Sequence, residues 1–139
     1  MKNITTVESI GHKFLELVAD IDVHPSYKAF HTTPQHDGSP HIEKEGDSFC
    51  FVVTERGQEF ARIGTTDPDE ILYLLLDGVT QVAATTYELK NRVEGIDGRE
   101  VWFPYQEQLL GALKPEWGIR KKREHEKLLI QHPFHGRTE

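Results

Sequence analysis

Two short polar triplets carry the residue types best suited to chemistry or recognition: Glu55-Arg56-Gly57 and Asp97-Gly98-Arg99. Each sets a carboxylate next to a guanidinium, and such groups join through paired hydrogen bonds when a fold brings them face to face. Their expected role is structural, tying a sheet edge to a helical half; direct contact with a ligand or partner is the alternative. Trp102 and Trp117 read as core or inter-helix packing, with an interface role as the alternative. His24, His31, His36 and His41 fall in or beside a proline-rich stretch, and His132 and His135 flank Pro133-Phe134. Their spacing matches no familiar zinc pattern and no second cysteine supports one, so they read as solvated loop histidines and no metal or cofactor is expected. Cys50 lies among phenylalanines in a strand-like run, the setting of a buried, inert thiol. The run Arg120-Lys121-Lys122-Arg123 is followed by Glu124 and Glu126, which suits a solvated helix face better than a phosphate site. No glycine-rich phosphate loop, Gly-x-Ser-x-Gly elbow, His-Glu-x-x-His or Cys-x-x-Cys occurs in the chain.

The composition narrows the class further. A formal net charge of -7 over 139 residues argues against a nucleic-acid surface, which needs clustered Lys and Arg, and suits a basic protein partner. The single cysteine rules out an intrachain disulfide and fits a reducing compartment. Met1 to Lys13 lacks the charged, apolar, small-residue order of a signal peptide, and no apolar run is long enough for a membrane span. The expectation is therefore a cytoplasmic protein folded as one domain over residues 1–139.

The elements that must position these residues follow from periodicity. Asn3 to Ile21 repeats apolar residues at spacings of three and four, predicting a helix capped by Asn3, or by Thr5 with Glu8, that buries Val7, Ile10, Phe14, Leu17 and Ile21. Gly11 within it marks a close contact. Asp22 to Pro40 is irregular, with Tyr27 and Phe30 as its anchors. Pro40–Glu45 alternates with Ile42 inward and His41, Glu43 and Glu45 outward, then turns at Gly46-Asp47. Ser48–Thr54 is apolar on both faces, as a central strand should be, and Glu59–Gly64 returns as a third strand. Asp67, Pro68 and Glu70 start a long helix that reaches about Asn91. Its first turns are apolar nearly all round, so it reads as a buried scaffold. Arg99–Phe103 is expected to be extended, because Pro104 disfavours helix before it. Pro104–Leu113 and Pro115–Gln131 are the last helices, the second anchored by Trp117 and by Leu128, Leu129 and Ile130, and Gly136–Glu139 should fray. The fold class is α+β: an N-terminal helix, a three-stranded antiparallel meander, a long central helix and two C-terminal helices.

Taken in order, Glu55-Arg56-Gly57, Tyr87-Glu88-Leu89, Asp97-x-Arg99, Phe103, Gln106, Leu109-Leu110, Trp117, Arg120, Glu124, Leu129 and His132-Pro133-Phe134 form a pattern. It resembles the immunity-63 group of predicted immunity proteins from bacterial polymorphic toxin systems, over about residues 40–134. Glu100 stands where that pattern has a second Arg. The resemblance implies a non-enzymatic protein that binds a cognate secreted toxin domain and neutralises it in the cytosol. It supplies no catalytic residues to carry over.

An acidic chain would meet a basic toxin, as many nucleases are, faster through electrostatic steering. The carboxylates expected in exposed turns are Glu43, Glu45 and Asp47 on the first hairpin, and Glu94, Asp97 and Glu100 after the central helix. Two other readings stay open. One is a small metal-dependent enzyme that uses the loop histidines with His132 or His135. The other is a small-ligand or adaptor domain with Phe49, Phe51 and Tyr73 around a cavity and Arg56 or Arg99 pointing inward.

Overall fold

The structure is a computed structural model that describes residues 6–135. Its elements are α1 (Val7–Val18), a 3-10 turn (Pro25–Lys28), β1 (Asp37–Glu45), β2 (Ser48–Glu55), β3 (Gln58–Thr65), α2 (Pro68–Lys90), α3 (Arg99–Leu113) and α4 (Pro115–Gln131). This is the expected α+β order. The chain divides into two compact units, residues up to 20 with 24–76, and residues 21–23 with those from 77 onward.

In the first unit, α1 opens at Thr6. Its hydroxyl accepts from the Ser9 amide at 3.0 Å, and the Ser9 hydroxyl accepts from the Thr6 amide at 3.0 Å. This reciprocal pair satisfies two amides that a helix start leaves bare. The cap is therefore Thr6 with Ser9, where Thr5 with Glu8 was expected; Asn3, Thr5 and the tail Gly136–Glu139 lie outside the described residues. Ile10, Phe14 and Val18 form the buried stripe. A Cβ on Gly11 would stand 2.7 Å from the Phe30 ring, so the missing side chain lets Phe30 dock on the helix. Tyr27, the other expected anchor, is exposed, because the 3-10 turn carries it away from the body.

The sheet is an antiparallel meander in the order β1-β2-β3, with the apolar β2 in the middle. Gly46 (φ +57°) makes the first turn; Arg56 (φ +51°) and Gly57 (φ +80°) make the second. The Arg56 amide donates to the His36 carbonyl at 3.1 Å, and the Gly57 amide donates to His36 Nδ1 at 3.2 Å. Glu55-Arg56-Gly57 is thus a hairpin turn whose amides are satisfied by a histidine from the preceding loop. His41, expected outward, is buried: His41 and Ile42 are each 1% exposed. Alternation separates inside from outside only where one face of a strand is wet. Here His41 sits opposite Val52 and Ile42 opposite Phe51, and both faces are covered at that point. The first turns of α2 complete this core. Asp67 caps the helix by accepting from the Asp69 amide at 2.9 Å, and Ile71, Leu72, Tyr73, Leu75 and Leu76 are all buried.

The second unit holds the rest of α2 with α3 and α4. Arg99–Phe103 is helical, not extended as expected. Asp97 Oδ1 accepts from the Arg99 amide at 3.0 Å and starts the helix five residues before Pro104. Phe103 is buried and stacks on His125 at 3.8 Å, packing that outweighs the bias against helix before proline. In α4 the buried stripe is Trp117, Lys121 and His125, spaced by four. Leu128 and Ile130, expected as anchors, are exposed, Ile130 by 80%, because they flank this stripe instead of continuing it.

Helices α3 and α4 are joined by Lys114 alone and meet at two glycines. A Cβ on Gly118 would lie 2.8 Å from Gly111 Cα and 2.9 Å from the Glu107 carbonyl oxygen, both backbone atoms that cannot swing away. Gly118→Ala should therefore force the two helices apart despite alanine's higher helix propensity, costing about 1–3 kcal/mol. Urea unfolding followed by circular dichroism would register this as a lower midpoint; an unchanged or raised midpoint would show that the crossing relaxes freely.

Candidate functional site

The carboxylates expected to meet a partner divide into two sets, one in each unit. On the sheet, Arg62 of β3 gathers three of them. Its Nη1 donates to Glu43 Oε1 at 3.1 Å and Glu45 Oε1 at 2.9 Å, while Nε and Nη2 donate to Glu59 at 2.9 and 2.6 Å. His41 Nε2 adds a 2.7 Å contact to Glu43 Oε2. These donors hold Glu43 below the ordinary carboxylate range, the His41 bond most strongly and Arg62 next, and Arg62 does the same for Glu59. One guanidinium among three carboxylates leaves the patch negative. Glu45 and Asp47 are exposed and Glu43 is half-buried. Behind them Cys50 is buried, and its thiol donates to Glu45 Oε1 at 3.2 Å; that bond and burial push the thiol up, away from the reactive thiolate.

In the second unit Asp97 is not in an exposed turn but 4% exposed. Both its oxygens are occupied. Arg99 donates from Nε at 3.1 Å to Oδ1 and from Nη2 at 2.6 Å to Oδ2, and the His135 amide reaches Oδ2 at 3.1 Å. The guanidinium then donates onward, from Nη1 to the His132 carbonyl at 2.7 Å and from Nη2 to the Pro133 carbonyl at 2.9 Å. It also lies 5.6 Å from the Phe134 ring centroid. Asp97 and Arg99 therefore form a clasp that holds the segment after α4 to the start of α3. Here Arg and carboxylate pair through two bonds, as expected, but within one triplet and not across to a sheet edge. Beneath the clasp, buried Glu88 takes two bonds from Arg92 at 3.1 and 2.9 Å, and its carboxylate fills the space a side chain on Gly98 would need. Glu94 is exposed, and Glu100 is half-buried in the first turn of α3.

A third polar group gave no signal in the sequence beyond the break that Asp77 makes in the apolar run of α2. Lys121, expected on a solvated face, is 7% exposed. Its ammonium lies 2.8 Å from Asp77 Oδ1 and 2.7 Å from Glu124 Oε1. Buried Gln106 donates through Nε2 to the Asp77 carbonyl at 3.1 Å, to Asp77 Oδ1 at 2.9 Å and to the Thr80 hydroxyl at 3.1 Å. One turn along α4, His125 Nδ1 meets Glu107 Oε2 at 2.7 Å. Burial lowers the His125 pKa in spite of that carboxylate, so the ring is neutral near pH 7 and its Nδ1–H donates. Trp117 closes the buried row.

The remaining candidates are dispersed. His24 bonds Ser26, His36 serves the hairpin turn, and His41 faces Glu43. Among the described residues no group of three or more His, Cys, Asp or Glu side chains could hold a metal ion. Arg56 is exposed at its turn and Arg99 is engaged in the clasp, so neither has the inward position that a ligand cavity beside Phe49, Phe51 and Tyr73 would need. The sequence reading also missed a shallow groove where Tyr87 and Tyr105 stack at 4.2 Å beside Val101 and Ile119. No helix among the described residues is long and apolar enough to cross a membrane.

The clasp has a pH signature. Arg99, with the Arg99 and His135 amides, holds the Asp97 carboxyl well below its ordinary value. A depressed native pKa means the stabilisation is present above the unfolded value of about 3.9 and is lost as pH falls toward the native one. Asp97→Asn should lower stability at pH 7 by on the order of 2 kcal/mol. It should also flatten the loss of stability below about pH 4, which denaturant unfolding across pH 2–7 would measure. An unchanged acid limb would mean the clasp does not persist in solution.

A family model described as Immunity protein 63 matches residues 45–127. That span covers β2, β3, α2, α3 and most of α4, including Glu55-Arg56-Gly57, the Asp97–Arg99 pair and the buried Lys121 network. Comparisons with curated proteins and with solved structures return no match. With more than half of its length inside that match, this chain belongs to the Immunity protein 63 family.

Proposed function

We propose that this immunity protein binds a cognate toxin domain in the cytosol of the cell that produces it, and neutralises that domain by non-covalent association. The observation that carries the reading, beside family membership, is the negative rim of the first hairpin. Glu45 and Asp47 are exposed there, and Arg62 leaves the cluster of Glu43, Glu45 and Glu59 with excess negative charge. On a chain of net charge -7 such a rim steers a basic partner, a nuclease being one class of suitable charge. Asp97 is left out of the contact set, because its oxygens are taken up by the clasp. Glu94 remains a secondary candidate and Glu100 a weaker one. The protein acts as an occluding partner and not as an enzyme. The 139 residues act as one domain, a reading supported by the unbroken course of α2 from one compact unit into the other.

The test uses the toxin domain encoded beside this protein's own gene, made catalytically inactive for handling. The two should co-purify, and this protein should block the active toxin at equimolar amounts. Glu45→Gln with Asp47→Lys should slow association at least about tenfold at low ionic strength and flatten its salt dependence, while dissociation changes little. Stopped-flow or surface plasmon resonance measures both rates. A neighbouring toxin-like domain that neither binds nor is inhibited would overturn the reading.

A further inference from the structure

The sheet is open along one side. β3 pairs with β2 alone, and among the described residues its outer edge makes no backbone hydrogen bond. The opposite side is partly closed, since the Ile42 amide of β1 donates to the His31 carbonyl at 3.0 Å. Natural sheets protect a bare edge with lysine, proline, a short strand or a bulge. β3 is eight residues long, has neither lysine nor proline, and its two charged side chains, Glu59 and Arg62, are paired with each other. Its register shift lies at the turn end, where Glu59 faces Thr54 and Ala61 faces Val53, leaving Phe60 as the extra residue. From Ala61 to Thr65 the ladder is regular. Two apolar side chains also stand out along this strand, Phe60 at 65% exposure and Ile63 at 42%.

We propose that the outer edge of β3 accepts an extended segment of the toxin domain as a fourth strand. The pattern of β3 states the chemistry of that segment. Arg62 lies opposite Val52, on the sheet face that carries Glu43 and Glu59, and that face is negative. Ile63 lies opposite Phe51, on the apolar face. Side chains alternate along a strand, so on the first face the incoming strand presents a basic residue toward Glu59 and an uncharged one beside Arg62, and on the second face apolar residues. Backbone hydrogen bonds supply the attachment, and the two faces supply its register and specificity. A second copy of this chain, itself of net charge -7, is disfavoured as the occupant by long-range repulsion between like-charged molecules.

This inference rests on the proposed toxin binding, and the experiment separates the two. The probe is the inactive toxin domain encoded by the neighbouring gene. Hydrogen–deuterium exchange is measured on the full chain, free and mixed with the probe. The amides of residues 61–65 that face outward should exchange at least tenfold more slowly in the complex. Phe60→Lys with Ile63→Lys, at exposed positions, should keep the native circular dichroism and thermal midpoint while weakening binding at least a hundredfold. Binding without β3 protection, or with the double variant unaffected, overturns the strand-addition proposal and leaves toxin binding standing. Protection of β3 in the protein alone, growing with its concentration, overturns it in favour of self-pairing. No binding of the probe overturns both.

Discussion

A lysine ammonium removed from water must keep carboxylate company, and in this protein that requirement fixes the arrangement of the second unit. Lys121 is nearly inaccessible, and Asp77 and Glu124 lie within 2.8 Å of it. Losing either charge alone would strand the other in a poor environment, which is more harmful than never having had the pair. The pair therefore dictates which turn of α2 faces which turn of α4. Gln106 then links α3 to the same point through Asp77 and Thr80. With the register set, Gly118 comes to rest on Gly111 and Phe103 on His125. The Asp97–Arg99 clasp holds the segment that follows α4 against the opening of α3.

Eight carboxylates of this acidic chain form two working groups. Asp77, Glu88, Asp97 and Glu107 are bound inside the second unit to Lys121, Arg92, Arg99 and His125, where they shape the helices. Glu43, Glu45 and Glu59 share a single Arg62 at the sheet surface, and Asp47 stands beside them in the hairpin turn. Of these two groups, the second keeps excess negative charge facing water. An immunity protein that recognises its partner by charge would draw on that group, and the uncovered edge of β3 borders it.

Much of the fold was legible because its signals are local. The cap and proline at Asp67-Pro68, the glycine turns and the apolar β2 each act over a few residues, and each appears where expected. Gly11 likewise announced a close contact, which proved to be the Phe30 ring. The errors arose where a distant neighbour reversed a local preference. His41 alternates like an outward residue but lies under a covered face. Arg99–Phe103 precedes a proline but is held helical by the bond from the Arg99 amide to Asp97 and by the packing of Phe103. Lys121 sits in a charged run that reads as wet, and nothing nearby in sequence reveals Asp77 forty-four positions earlier.

The sequence by itself determined the element order, the three-stranded meander, the buried start of α2 and the kinship that Glu55-Arg56-Gly57 and Asp97-x-Arg99 signal. Those features depend on period, capping and turn chemistry, which involve residues close together along the chain. Only the tertiary structure decided which charges are structural and which face a partner. A carboxylate's role depends on the cation that reaches it and on the water it keeps, and both are set by packing between elements far apart in sequence.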